Sequence, residues 1–283
     1  MRRFWPIVFS VVGWVAILAY LIVAGRHCAH KKDDVRVSRM RIVVRDSARL
    51  QLVTSAMVRG WLEGEGIKTR DLSLREIETS RIRQAIEKHI FVRHATVFTD
   101  LDGTLNIELS QRRPVVRVEM SNGYRFFLSD DGYVLPLQER GQDPVRVPIV
   151  TGAFSLPFAP GYVGSLDEAV SDKQKKISEN YRFLLKLINF VAFIEDDDFW
   201  RAEIVQIIVR EGSASVGDPA WQEPQVEFVP RAGNHIVVLG DLEDVPVKLD
   251  KLLSFYRHAL AYEGWSGPKI INLKYRNQVI CTK

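Results

Sequence analysis

An uncharged stretch opens the chain, and behind it the apolar positions follow two rhythms, helical and strand-like. From Phe4 to Gly25 (FWPIVFSVVGWVAILAYLIVAG) no residue is charged, and a helix of that length crosses a hydrocarbon core of about 30 Å. Trp5, Trp14 and Tyr20 leave it no polar face, which favours a membrane span over a buried soluble helix. A cleaved secretory signal would have a shorter apolar core, roughly 7 to 15 residues, followed by a small-x-small site. A lipoprotein signal needs a small residue before its cysteine, and here His27 precedes Cys28. Residues 1–25 are therefore expected to be a short stub and an uncleaved signal anchor.

Residues 26–39 (RHCAHKKDDVRVSR) are polar and basic and read as a linker beside the membrane. His27, Cys28 and His30 place three metal-type side chains within four residues, a spacing that closes no tetrahedral site. Residues 40–112 then carry the order β-α-α-β-β. Met40 to Arg45 is strand-like, and Leu50, Val53, Met57 and Trp61 form one helix face that ends at Gly64-Glu65-Gly66. Ser73 and Glu76 match a capping box, which predicts a second helix from Ser73 with Leu74, Ile77, Ile82 and Ile86 inward. Ala95, Val97 and Thr99 alternate, as do Leu105, Ile107 and Leu109, with a turn at Asp102-Gly103 between them.

Residues 113–283 are mostly strands. Asn122-Gly123 joins a hairpin, Asp131-Gly132 marks a further turn, and the Pro- and Gly-rich residues 141–166 predict irregular chain. A helix is predicted over Ser171–Val191, and strands at Ala202–Val209, Gln225–Val229 and His235–Leu239. A last helix, with Asp244 as N-cap and Leu249, Leu252, Leu253, Tyr256 and Leu260 inward, leads to strands Ile270–Tyr275 and Asn277–Thr282. The fold class is α+β.

Composition narrows the function classes. Of 283 residues, 46% are hydrophobic and 26% charged, which excludes wholesale disorder and a polytopic membrane protein and predicts two domains. The net charge of +4 comes from residues 1–36, where six basic residues stand against two acidic ones, so residues 37–283 sum to zero. No nucleic-acid partner is expected from that balance. Cys28 and Cys281 lie at opposite ends and exclude a disulfide framework. No G-x-S-x-G, Walker loop, H-E-x-x-H or G-x-G-x-x-G occurs. His89, His94, His235 and His258 are scattered, so no metal, cofactor or small-molecule substrate is expected.

One motif argues for an enzyme. Asp100-Leu101-Asp102-Gly103-Thr104-Leu105 reads D-x-D-G-T-L and resembles the nucleophile loop of haloacid-dehalogenase-type phosphatases, where the first Asp attacks phosphorus and the second is acid and base. Asp196, Asp197 and Asp198 would then be the acidic group that holds Mg²⁺. Such a loop follows a buried, nearly continuous apolar strand, whereas Val92 to Val97 alternates and carries charge. An alternating strand follows too, so Asp102-Gly103 reads as a hairpin turn and Asp196–Asp198 as a solvated helix end. A membrane-tethered phosphatase using Asp100 and Asp102 remains the alternative, and no enzyme is the expectation.

Glu108–Pro136 (ELSQRRPVVRVEMSNGYRFFLSDDGYVLP) resembles the FtsQ/DivIB family of bacterial cell-division proteins. Gln111, Arg112 and Pro114 stand at its Q-R-x-P-type junction, and the hairpin that follows ends in Asp130 or Asp131, Gly132 and Pro136. Phe228 to Gly233 with Leu239-Gly240 is similar to the family's "P-R-x-G, then L-G" passage, and Leu273-Lys274-Tyr275 to its penultimate strand. The order of span, POTRA-like unit and β-rich domain extends the resemblance over nearly the whole chain. It implies a noncatalytic scaffold of the divisome with partners of the FtsB and FtsL type. It also implies a single pass through the cytoplasmic (inner) membrane, with the N-terminus in the cytoplasm and the bulk periplasmic or extracytoplasmic. The charge flanks alone would put the bulk inside, since Arg26, Lys31, Lys32, Arg36 and Arg39 outnumber Arg2 and Arg3. The family's FtsB contact maps onto the strand after the Tyr275-bearing one, Gln278, Val279, Ile280 and Cys281, which with Tyr275 are the partner-binding candidates; a chain-terminal strand, Asn277–Thr282, offers an edge for strand addition. Another POTRA-bearing envelope protein, such as a transport subunit, would repeat the unit or continue into a barrel, and neither pattern is present.

Overall fold

Residues 13–24 form helix α1 in the computed structural model, with every side chain exposed. The model describes residues 13–24, 35–45, 51–69, 72–74, 76–137, 145–170, 178–212, 223–265, 267 and 269–282. The expected span Phe4–Gly25 lies partly outside these, and among the described residues no helix is long and apolar enough to cross a membrane. His27, Cys28 and His30 also lie outside them. The chain divides into two units, Met1–Gln111 and Arg112–Lys283.

The first unit follows the order β1 (Arg39–Val44), α2 (Ser55–Gly64), α3 (Thr79–Glu87), β2 (Val92–Thr99) and β3 (Thr104–Gln111). Its sheet has the order β1-β3-β2, with β1 parallel and β2 antiparallel to β3. Leu105, Ile107 and Leu109 of the central strand are fully buried, as are Val58 and Leu62 of α2 and Ile82 and Ile86 of α3. Thr54 caps α2 by accepting the Met57 N–H at 3.3 Å.

Two expectations need correction here. The Ser73–Glu76 box does form one arm, Ser73 N–H to the Glu76 carboxylate at 2.9 Å, but the helix starts only at Thr79. Tertiary pairing takes the intervening backbone: Val37 N–H donates to Leu72 O at 2.9 Å, and Leu74 N–H to Val35 O at 3.2 Å. For the same reason the residues from Val35 onward belong to the unit rather than to a linker reaching Arg39, and Val37 is fully buried.

The second unit is one ten-stranded sheet in the order β13-β12-β11-β10-β9-β7-β4-β5-β6-β8. Its strands are β4 (Pro114–Met120), β5 (Arg125–Ser129), β6 (Tyr133–Leu135), β7 (Ile149–Gly152), β8 (Gly164–Ser165), β9 (Ile204–Arg210), β10 (Gln225–Pro230), β11 (Ile236–Gly240), β12 (Ile270–Asn272) and β13 (Ile280–Thr282). The pairs β4–β7, β7–β9 and β11–β12 are parallel, and the others antiparallel. Between the strands run α4 (Leu166–Ala169), α5 (Glu179–Asp196), α6 (Asp198–Glu203) and α7 (Val245–Phe255); α7 continues as a π turn, Tyr256–Leu260, and the short α8 (Ala261–Glu263).

Register aligns one core-facing row across this sheet: Phe126, Val118, Val150, Ile207, Phe228, Val237 and Ile271, each directly opposite the next. All are buried in one cluster with Phe183, Leu184, Leu187 and Val191 of α5 and Leu249 and Leu252 of α7. The next position in the row, opposite Ile271, is Cys281 of β13, and it is exposed.

Boundaries differ from expectation where side chains redirect the backbone. Asp197 accepts the Phe199 and Trp200 N–H groups at 2.8 and 3.0 Å, starting α6 and delaying the strand expected at Ala202 until Ile204. Ser178 caps α5, whose predicted first residues 171–177 fall outside the described set. Asp244 does stand before α7, but in the left-handed region at φ 49° and without a side-chain cap bond. The last two strands shorten because Asn272 Oδ1 accepts the Lys274 N–H at 3.0 Å, which ends β12 in a turn.

Close approach of β7 to β9 requires glycine at position 152. Its φ is +148°, and a Cβ there would stand 1.9 Å from the Val209 carbonyl oxygen. Gly132 also has positive φ, at +73°, but nothing within 4 Å of an added Cβ. Gly152→Ala should therefore cost about 4 kcal/mol or more, and Gly132→Ala only about 1 to 2 kcal/mol. Denaturant melts of the two variants compare these directly, and equal losses would mean that backbone crowding at β7 is unimportant.

Candidate partner-binding edge

The chain reaches the end of its sheet through residues 269–282. β12 pairs with β11 in parallel, and Ile236 N–H donates to Lys269 O at 2.8 Å. β13 returns antiparallel, with Ile270 opposite Thr282, Ile271 opposite Cys281 and Asn272 opposite Ile280, and Lys269 N–H donates to Thr282 O at 2.8 Å. All three residues of β13 are exposed. Ile270 and Ile280 lie diagonally on the pleat opposite the core row, each 39% exposed.

Of the five partner-binding candidates, only Ile280 and Cys281 are in β13. Gln278 is exposed and Val279 half-buried in the segment that leads into it, where Val279 packs on the core cluster. Tyr275 is 49% exposed in the turn after β12. The structure thus places them along one connection and short strand, not on the longer strand expected from Asn277. That connection is held from below by a residue the sequence reading did not single out. Lys251 Nζ, from α7, donates to the carbonyls of Leu273 at 3.1 Å, Tyr275 at 2.5 Å and Gln278 at 3.5 Å. Burial, and secondarily the charge of Lys248, push its pKa down. A lysine one turn from an i−3 lysine on an amphipathic helix was the only sequence signal.

The opposite end of the sheet is blunt. β8 has two residues, and Ser165 at once caps α4 by accepting the Asp167 N–H at 3.2 Å. An edge that turns into a helix after two residues leaves little backbone for another chain to pair with.

The junction residues do structural work. Gln111 Oε1 accepts the N–H groups of Leu52 and Val53, both at 2.8 Å, in the first unit. Arg112 belongs to the second, where it ion-pairs with Asp131 and lies 3.2 Å over the Tyr133 ring. Asp131 also accepts from Ser129 Oγ at 2.5 Å, and Gly132 turns the chain into β6.

Asp100 and Asp102 sit in the turn between antiparallel β2 and β3. Asp100 N–H donates to Thr104 O at 2.9 Å, and its carboxylate accepts from Asn106 Nδ2 at 2.7 Å. Asp102 accepts the Thr104 N–H at 2.9 Å, and bonds from the Thr104 backbone and hydroxyl hold its carboxyl below the usual range. No helix follows, so the strand-loop-helix setting of a phosphatase loop is not formed. Asp196 closes α5 and Asp197 caps α6. Among the described residues no group of His, Cys, Asp and Glu could hold a metal ion.

Behind the edge lies a buried histidine. His235 Nε2 shares a hydrogen bond of 3.0 Å with Tyr256 Oη, and Trp265 packs 5.0 Å from Tyr256 between ring centroids. Burial pushes the His235 pKa down and the Tyr256 pKa up. In the unfolded chain a histidine takes its proton near pH 6.5, about its ordinary value, while folded His235 takes it only at lower pH. The unfolded state therefore binds more protons just below that value, and stability is lost as pH falls through it. His89 in the first unit has the same sign. Thermal melts of the second unit between about pH 7.5 and 5.5 should lose part of their slope in His235→Gln but not in His89→Gln. An unchanged slope in His235→Gln would clear His235 of this role.

The family model for "FtsQ/DivIB, C-terminal related" matches residues 113–282. A second model, "POTRA-like domain", matches residues 36–110, the β-α-α-β-β unit. No curated protein matches the chain. The larger match spans more than half of the 283 residues and covers the whole ten-stranded sheet, so the chain belongs to the FtsQ/DivIB family.

Proposed function

We propose that this protein is a noncatalytic, membrane-anchored scaffold of the bacterial division machinery that recruits FtsB- and FtsL-type partners by strand addition along β13. Family members are membrane-associated division proteins and generally noncatalytic. The observation that carries the reading is the end of the core row: buried residues run across the sheet to Ile271 and stop at an exposed Cys281. A partner strand laid beside β13 extends both the ladder and the row. The anchor reading is supported by the uncharged run Phe4–Gly25, whose described part is helical and apolar on all sides. A single pass with the N-terminus in the cytoplasm places both folded units outside it.

Proline removes the donor that strand pairing needs. Placed in turn at Gln278, Val279 and Ile280, it should reduce capture of an FtsB-type partner at one or more positions whose amide faces outward, with folding checked by melts. If every variant folds and captures the partner at wild-type strength, strand addition at this edge is wrong.

The phosphatase alternative makes an opposite demand on the first unit. Among the described residues Asp100 bonds only within its turn and to Asn106, so Asp100→Asn should support division at the wild-type level. Loss of division with a folded Asp100→Asn protein would reinstate catalysis.

A further inference from the structure

The hairpin that carries the D-x-D-G-T motif has an apolar apex. Leu101 is 72% exposed at its tip, between two aspartates whose carboxylates are turned to Asn106 and to the Thr104 N–H. Phe98, 40% exposed, stands one step below it on the outer face of β2. The incoming chain is pinned to this same end of the unit. Ser38 N–H donates to Gly103 O at 3.0 Å, and the Arg36 carbonyl lies so close that a Cβ on Gly103 would meet it at 2.5 Å. β1 then runs away from the tip, with Arg39 opposite Thr104 and Arg41 opposite Asn106, both exposed on the outer face.

We infer that this tip is a membrane-surface contact, with Leu101 dipping into the lipid interface and Arg39 and Arg41 facing headgroup phosphates. The inference rests on the anchor reading of Phe4–Gly25. Between α1 and Val35 lie ten residues, 25–34, which span at most about 36 Å when fully extended. The chain arrives at the hairpin tip, so the tip end of the unit is the one tethered toward the bilayer. An apolar side chain at the apex, with two exposed arginines on the neighbouring strand, suits an interface where hydrocarbon lies just beneath anionic groups. The two carboxylates keep their donors inside the turn, and the charge of Arg39, which acts on Asp102, offsets part of theirs.

The test uses the full chain in nanodiscs containing anionic and zwitterionic lipid, with Cys28 and Cys281 replaced by serine. Spin labels are placed singly through Leu101→Cys, Ser110→Cys at the far end of β3, and Trp14→Cys. Collision with oxygen against a water-soluble nickel reagent reads immersion. The expected result is lipid-type accessibility at position 14, a ratio at 101 severalfold above that at 110, and a drop at 101 when Arg39 and Arg41 are changed to Glu. If 14 is in lipid but 101 is as water-exposed as 110, the surface contact is wrong and the anchor stands. Shielding of 101 that appears only on adding a division partner also overturns it, in favour of a protein contact. If 14 is not in lipid, the anchor reading itself fails and the inference with it.

Discussion

A sheet that does not close must end, and the edge of its last strand needs other partners than the sheet supplies. In the second unit this constraint falls unevenly on the two ends. At β8 the chain turns into α4 after two residues. At β13 the strand is three residues long and exposed, and it is kept in place by pairing with β12 and by the Lys251 ammonium beneath the preceding turn. Among the described residues no carboxylate pairs with Lys251. Its hydrogen bonds go to carbonyl oxygens of the connection itself, so α7 positions the backbone of the edge rather than any one side chain.

The rest of the unit serves to deliver β12 to that place. Parallel pairing of β11 with β12 requires a crossover, and α7 with its π turn supplies it, packing Leu249, Leu252, Tyr256 and Leu260 on the core row. The His235–Tyr256 bond and the Trp265 ring fix the far end of that crossover, where a residual polar group is costly. His235 Nδ1 is buried and finds no partner among the described residues, a local weakness that makes protonation there destabilising and couples this end of the fold to pH.

Local signals in the sequence were good guides to neighbouring pairings and poor guides to distant ones. Asn122-Gly123 and Asp102-Gly103 mark real hairpins, with Gly123 and Gly103 at positive φ, because a turn's chemistry is contained in its own residues. The β-α-α-β-β order was legible for the same reason. The parallel β4–β7–β9 arrangement was not, since its register depends on Gly152 lying against Val209, more than fifty residues away. The Ser73 box misled because Val35 and Val37 compete for the same backbone. At the candidate site, Tyr275 and Gln278–Cys281 were named from the resemblance and from the edge that a terminal strand offers, and Lys251 was missed because a lysine that serves carbonyls looks like any surface lysine until its neighbours are known. The D-x-D-G-T motif shows the converse: the same residues that would attack phosphorus after a buried parallel strand here close a β-turn between antiparallel strands.

The most direct test of the edge as a recruitment site is hydrogen exchange of the full chain with and without an FtsB-type partner bound. Strand addition predicts slowed exchange of backbone amides within Gln278–Thr282 in the complex, with β8 unchanged. A saturated complex in which amides 278–282 exchange as fast as in the free chain would contradict the account.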